Sequence, residues 1–328
     1  MPTLADVARE AGVSKATASR ALMRPEIVTP QTRERVRAAA SRLGFQPNRV
    51  ARALTTGRTG MLGLVVPTLA NPFFAPLVLG AQQAAEETDN HLLITVSEYR
   101  AEREAALVGR LADQVDGIVL VAPVGTDPSL RELARRRPLV LVDRQVGRLP
   151  AVVLDTASGA AALVRHLLDL GHRDIAYVSG PPGSWADGRR RAAMAEAAGE
   201  AGGRLCVLGP MPPTFDAGIA AAGQLPAGAG AVIAYNSYLA LGLLHGLKAR
   251  GLRVPEDVSL AAADDLTALG ATDPSVTALD VPVAEAGALA VTRLLEVCAG
   301  SRRTVRNVLE TRLLPRDSTA APAASGPG

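Results

Sequence analysis

The side chains best suited to chemistry lie close together near the N-terminus. Lys15, Thr17, Ser19 and Arg20 are hydrogen-bond donors within a single short stretch. On a helix they form a polar face. Arg20 can offer two parallel N–H groups to O6 and N7 of a guanine, and Ala16 is small enough to approach a thymine methyl. Ser14, Thr17 and Ser19 suit phosphate oxygens, which position a protein without specifying a sequence. Catalytic alternatives fare poorly. His91, His166, His172 and His245 have no cysteine or carboxylate at metal-ligand spacing. There is no Walker loop, no G-x-S-x-G and no dinucleotide fingerprint. Neither an enzyme nor a metal or organic cofactor is expected.

The elements that must position this face are readable. Thr3 with Asp6 three residues on is a capping-box variant that opens a helix from Leu4 to Ala11. Gly12-Val13-Ser14 makes a tight turn, and Ser14 caps a second helix from Lys15 to about Met23. Helix, three-residue glycine turn and helix is the helix-turn-helix layout. Ala8 and Ala11 let the two helices cross closely. Thr29-Pro30 gives an N-cap with Pro at N1, starting a third helix. Its Val36, Ala39, Ala40 and Leu43 form one apolar stripe, and Gly44 ends it.

Charge separates this head from the rest. Residues 1–60 carry eleven Lys and Arg against four Asp and Glu, a net +7, while the whole chain carries only +3. A basic head on a mildly acidic body points to a polyanion partner for the head alone. The chain has 328 residues, which suits a small module plus a larger one, and its 48% hydrophobic content excludes general disorder. Cys206 and Cys298 sit in apolar stretches and read as buried thiols of a reducing compartment. The N-terminus is polar from Thr3 onward and no long apolar run appears. A cytoplasmic protein without a secretory signal or membrane span is expected.

From Met61 the periodicity changes. Short apolar runs recur at Leu62–Val66, Leu92–Val96, Gly117–Val121, Leu139–Val142, Ile175–Val178, Leu205–Leu208, Ala231–Ala234 and Val258–Ala262. Amphipathic stretches separate most of them, the pattern of doubly wound parallel sheets with helices on both faces. About ten strands suit two lobes, with a break near Asp155–Gly159 and a return near Pro282–Gly287.

The run T-L-A-D-V-A-R-E-A-G-V-S-K-A-T-A-S-R-A-L (3–22) and its continuation L-G-F-Q-P-N-R-V-A-R-A-L (43–54) resemble the DNA-binding signature of the lactose/galactose repressor (LacI/GalR) family of transcriptional regulators. The similarity extends to about Pro315. It implies a helix-turn-helix domain over 1–47, a hinge helix over 48–58 and a two-lobed, periplasmic-binding-protein-like α/β core over 60–315. Lobe 1 would span about 60–157 and 288–315, lobe 2 about 158–287, and 316–328 would be a flexible tail. In such a family the hinge helix folds on the operator, and a leucine matching Leu54 wedges into the minor groove. Asn48, Arg49, Arg52 and Thr55 would support that contact.

The resemblance also implies an effector in a cleft between the lobes, at the C-terminal ends of strands. Phe73, Phe74, Asp143, Ser184, Trp185, Arg190, Asn236 and Asp264 match family positions that line it. Phe74 would stack on a sugar or base ring, Arg190 and Asp264 would bracket hydroxyls or a carboxylate, and Asn236 would add an amide. Other roles stay open for some of these. Phe73 can belong to the core, Asp143 can close a strand end, and Trp185 can pack on its loop. Asn236-Ser237 and Ala262-Ala263-Asp264-Asp265 depart from the family pattern at a carboxylate and at an aromatic, which bears on the ligand and not on the fold. The implied function is a homodimeric repressor on a near-palindromic operator, answering to a sugar-type small molecule. A regulator independent of small molecules or steered by a protein partner is the alternative, and a solute-binding protein is the remote one.

Overall fold

The computed structural model describes residues 2–23, 27–45, 58–265, 272–301 and 306–322. The chain forms two compact units, Met1–Met61 and Leu62–Gly328.

In the first unit, α1 (Leu4–Glu10), α2 (Lys15–Met23) and α3 (Pro30–Leu43) pack around Val7, Ala8, Ala18, Ala21, Val36 and Ala39. Local chemistry sets the helix ends. The Thr3 side chain accepts from the Asp6 amide while the Asp6 carboxylate accepts from the Thr3 amide, closing the capping box. Ser14 Oγ accepts from the Thr17 amide at 3.1 Å. Gly44 ends α3 with φ 62°, a left-handed cap that a Cβ would disfavour. Thr29 holds the N-cap position of α3, yet its hydroxyl donates to Thr32 Oγ1 and caps no amide.

The second unit holds two six-stranded sheets. Sheet one has the order β11-β5-β4-β3-β1-β2, built from β1 (Met61–Val66), β2 (His91–Val96), β3 (Gly117–Val121), β4 (Leu139–Val142), β5 (Ala151–Leu154) and β11 (Arg306–Leu309). Sheet two has the order β12-β10-β9-β8-β6-β7, from β6 (Asp174–Val178), β7 (Arg204–Leu208), β8 (Ala231–Ala234), β9 (Ser259–Ala262), β10 (Thr277–Asp280) and β12 (Arg312–Leu314). Parallel pairing joins β11, β5, β4, β3 and β1 in sheet one and β10, β9, β8, β6 and β7 in sheet two, while β12 lies antiparallel to β10. The central strands are buried on both faces, so they read as unbroken Val, Leu, Ile and Ala.

Helices α4 (Phe74–Glu86), α5 (Ala101–Leu111), α6 (Asp127–Arg136) and α11 (Val283–Cys298) accompany sheet one. Sheet two carries α7 (Thr156–Asp169), α8 (Trp185–Glu200), α9 (Phe215–Ala222) and α10 (Ser237–Ala249). Helices α4 and α11 cross so closely that a Cβ on Gly80 would meet the Ala284 carbonyl, and one on Gly287 the Leu77 carbonyl. This contact stitches the returning chain back onto the first lobe.

Three expectations need correction. The end of the chain does not belong wholly to lobe 1. After β11 it crosses again, and β12 joins sheet two. Residues 316–322 are docked, not a loose tail. Ser318 is fully buried, its hydroxyl donates to the Leu260 carbonyl, and the Leu260 amide donates to its carbonyl at 2.8 Å. Arg316 pairs with Asp265 at 2.6 Å, and His172 Nε2 lies 2.9 Å from the Ala320 carbonyl. Small polar residues look like linker in sequence, but here they complete the hydrogen bonding of a sheet that would otherwise end unpaired. Lastly, Cys206 is exposed and Cys298 is half-buried. Cys206 lies on β7, the edge strand of its sheet, where alternate side chains meet solvent. Among the described residues no helix is long and apolar enough to cross a membrane.

Candidate functional site

Two sites emerge, one on each unit. On α2, Ala18 and Ala21 point into the three-helix core and fix which face is left outside. That outer face carries Lys15, Ala16 and Arg20, all exposed, with Thr17 and Ser19 half-buried beside them and Ser14 exposed at the cap. Arg20 Nε donates to the Ala16 carbonyl at 3.2 Å, which keeps the guanidinium along the helix surface. Ser14 and Thr17 hydroxyls lie 2.8 Å apart. The face therefore gathers one rotatable cation, one planar guanidinium and three hydroxyls on a single exposed helix, as groove reading requires. Asn48, Arg49, Arg52, Leu54 and Thr55 lie outside the described residues.

The second site lies between the two sheets, where strand C-terminal ends converge. A cavity there holds about 30 Å³ of free volume, room for a water or two. Lobe 1 supplies Asn71, Phe73 and Phe74 after β1, Tyr99 after β2, Ala122 after β3 and Asp143 after β4. Lobe 2 supplies Arg190 from α8, Tyr235 and Asn236 after β8, and Asp264 after β9. Tyr99, Ala122 and Asp143 all have left-handed backbones, with φ of 54°, 44° and 54°. Such strain in residues with side chains gathers where a site fixes their direction.

Burial controls the charges. Asp143 is pushed up to about 7 by desolvation, partly offset by Arg190. Its Oδ1 has no hydrogen-bond partner from the chain. Asp264 is also raised by burial, against which the Ser237 amide donates to it at 2.6 Å and Arg190 pulls the other way. Burial works against the charge of Arg190, but its neighbours Tyr235, Tyr177, Asp143 and Asp264 outweigh it, so its pKa is raised. Arg190 is oriented by bonds to Thr156 Oγ1 (2.9 Å) and the Tyr235 carbonyl (3.0 Å). Asn236 Oδ1 caps α10 by accepting from the Leu239 amide at 2.9 Å, leaving its buried Nδ2 without a partner. The cavity thus presents an unsatisfied acceptor, an unsatisfied donor, a cation and a second carboxylate, flanked by rings. Unpartnered buried groups are costly and a polar ligand would relieve them.

Six of the eight cleft residues picked from sequence meet at this cavity: Phe73, Phe74, Asp143, Arg190, Asn236 and Asp264. Ser184 and Trp185 do not line it. Ser184 caps α8 by accepting from the Asp187 amide at 3.2 Å and touches the Tyr235 hydroxyl at 3.3 Å. Trp185 stacks under Arg189 one helical turn on, at 5.1 Å, so it packs on its own helix. Within the arginine run only Arg190 turns inward, since Arg191 pairs with Asp187 at 2.9 Å. Likewise Asp264 faces the cavity while Asp265 is held by Arg316. Tyr99 and Tyr235 were missed, although both follow strands directly or within a short turn. Applying the strand-end rule to every strand would have found them.

Comparison with known proteins places both sites in context. Residues 3–48 match the model of bacterial regulatory proteins of the lacI family, and residues 164–319 match the periplasmic binding protein-like domain. The HTH-type transcriptional regulator CelR of Thermobifida fusca is 35% identical, covering 97% of this chain and 98% of its own. Catabolite control protein A of Priestia megaterium is 33% identical, covering 89% and 91%. Among solved structures, a transcriptional regulator CelR–cellobiose complex superposes with a TM-score of 0.72 at 32% identity, over 97% of this chain and 100% of the other. The lac repressor dimer bound to operator and the anti-inducer ONPF gives 0.82 at 25% identity, over 98% and 99%.

Proposed function

The chain belongs to the lacI family of bacterial regulatory proteins and is a DNA-binding transcription regulator, and from that premise we propose that it is a homodimeric repressor whose operator affinity is set by a sugar-type effector in the interlobe cleft. Two-fold symmetry then requires a near-palindromic operator, with one α2 in the major groove of each half-site. Arg20 reads a guanine, and Ser14, Lys15, Thr17 and Ser19 anchor the backbone. The similarity to a lac repressor dimer on operator supports this arrangement.

The observation that carries the effector reading is the pair of unpartnered buried atoms, Asp143 Oδ1 and Asn236 Nδ2, on two residues that line the same cavity as Arg190 and Phe74. A polyol matches that set: its hydroxyls donate to Asp143 and Asp264, accept from Asn236 and Arg190, and its ring lies against Phe74. The similarity to a regulator bound to cellobiose favours the same class. A sugar exceeds the free volume of 30 Å³, so its binding must part the lobes at the crossovers after β5, β10 and β11. Ligand and operator are then coupled only through the ligand's different affinity for the two lobe arrangements. No cofactor beyond the effector is required.

A thermal-shift screen of the full chain against monosaccharides, disaccharides, sugar acids, polyols and purines tests the reading. A ligand at about 100 times its Kd adds roughly 2.7 kcal/mol and raises the Tm visibly. The hit should then change operator binding in a fluorescence-anisotropy assay. A folded, operator-binding protein that answers to none of these classes would refute the sugar effector and favour control by a protein partner.

A further inference from the structure

The chain is poor in rings, with four Phe, four Tyr and one Trp in 328 residues. Six of them gather at the mouth between the lobes. Phe73, Phe74, Tyr99 and Tyr235 line the inner cavity, and Tyr99, Phe215 and Tyr238 line a wider space just outside it. This vestibule has a volume of about 360 Å³ and shares Asn71 and Tyr99 with the inner cavity, so the two spaces meet at that wall. Lobe 1 contributes Pro67 and Tyr99, and lobe 2 contributes Pro212, Pro213, Phe215 and Tyr238. The Tyr238 hydroxyl donates to the Ala70 carbonyl across the lobes at 2.6 Å and holds that ring at the rim. Phe215, the first residue of α9, is 40% exposed. Rings left wet at a mouth forfeit the burial that a core would give them.

We propose that the vestibule is a second ring subsite, so that the effector is a two-ring glycoside. This rests on the reading of the cleft as a sugar-effector site. The first ring, rich in hydroxyls, takes the inner cavity with Asp143, Arg190, Asn236 and Asp264. The second lies in the vestibule, which Phe215 and Tyr238 line. The vestibule's 360 Å³ already falls within the range of ligand pockets, whereas the inner cavity's 30 Å³ lies below it and takes a ring only once the lobes part. The chemistry differs as well. The inner cavity selects by directed hydrogen bonds, whereas prolines and rings select a flat apolar face. A pyranose presents such a face through its axial C–H groups, and a phenyl aglycone presents one through its ring.

The test is isothermal titration of the full chain with two matched series. One contains D-glucose, methyl β-D-glucoside, cellobiose and phenyl β-D-glucoside, and the other contains their galactose counterparts with lactose as the disaccharide. Within the series that binds, a two-ring member should bind at least about tenfold more tightly than its one-ring counterpart. Phe215→Ala should erase that gain while changing one-ring affinity less than about twofold. The disaccharide and phenyl arms tell a second sugar from an aryl group. Equal affinity for one-ring and two-ring probes overturns the vestibule subsite, as does an equal loss of both in Phe215→Ala. Failure of every probe to bind overturns the sugar reading of the cleft itself, and this inference with it. The two failures are distinct, because the first still shows one-ring binding that Asp143→Asn abolishes.

Discussion

The outer face of α2, proposed to read DNA, and the interlobe cleft, proposed to hold an effector, keep their charges under opposite conditions. On α2 the cation Lys15 and the guanidinium of Arg20 stand in water, and the hydroxyls satisfy one another or solvent. In the cleft Asp143, Asp264 and Arg190 are desolvated, and two polar atoms have no partner from the chain. The first site keeps its charges solvated, and their proposed attraction to phosphates would be screened by salt. The second carries a desolvation penalty that the proposed ligand would relieve. The two sites thus differ in dielectric.

The sharpest way to break this comparison is Arg190→Met. If Arg190 compensates the cleft carboxylates, removing it leaves the buried Asp143 and Asp264 without that partner, at a cost of about 3 kcal/mol or more. The variant should melt markedly lower and lose its effector response, as calorimetry and ligand titration can check. A melting point equal to wild type would mean that the cleft carries no such stored penalty.

Next in size is Arg20→Ala. It should weaken operator binding by about 1–3 kcal/mol and relax preference at one base pair, with no change in melting temperature. Binding to operators substituted at each position gives the readout. Across a salt series, wild-type operator affinity should fall steeply and effector affinity hardly at all. Parallel salt slopes would erase the distinction drawn here.

A pH-dependent effect tests the desolvation of Asp143. Its native value near 7 lies above the ordinary 3.8, so the folded state binds a proton that the unfolded state releases. Its contribution to stability is complete below about 3.8 and is lost as pH rises through about 7. His166 and His172 run the other way, because burial lowers both. The informative quantity is therefore wild-type minus Asp143→Asn stability, which should decline between those pH limits. A flat difference curve would place Asp143 in contact with water.

The smallest effect is expected for Tyr238→Phe. Losing the hydroxyl bond to the Ala70 carbonyl removes about 0.5–1.5 kcal/mol that favours closed lobes. Effector association measured by stopped flow should accelerate while the melting temperature barely moves. Unchanged association would show that this contact does not gate the mouth.

The head and eight of the twelve described strands were legible because their signals are local. A capping box, a glycine turn and an alanine face lie within a few residues of one another, and a buried parallel strand announces itself as an apolar run. Strands β5, β10, β11 and β12 were not singled out. Arg306–Leu309 and Arg312–Leu314 are short, and their side chains alternate with solvent, so no apolar run marks them. The same ambiguity hid the docking of residues 316–322, whose Ser and Thr act through the backbone of β9 and β10.

By itself the sequence determined the helix-turn-helix, the alternating α/β core and the list from which the cleft is drawn, because capping, periodicity and strand-end position are properties of neighbours along the chain. Only the tertiary structure decided which members of that list face one another. It turned Arg190 inward but not Arg189 or Arg191, chose Asp264 over Asp265, set Trp185 aside and brought in Tyr99 and Tyr235. It also raised Asp143, since a carboxyl's proton affinity depends on what surrounds it in space, and its surroundings come from strands far apart in the chain.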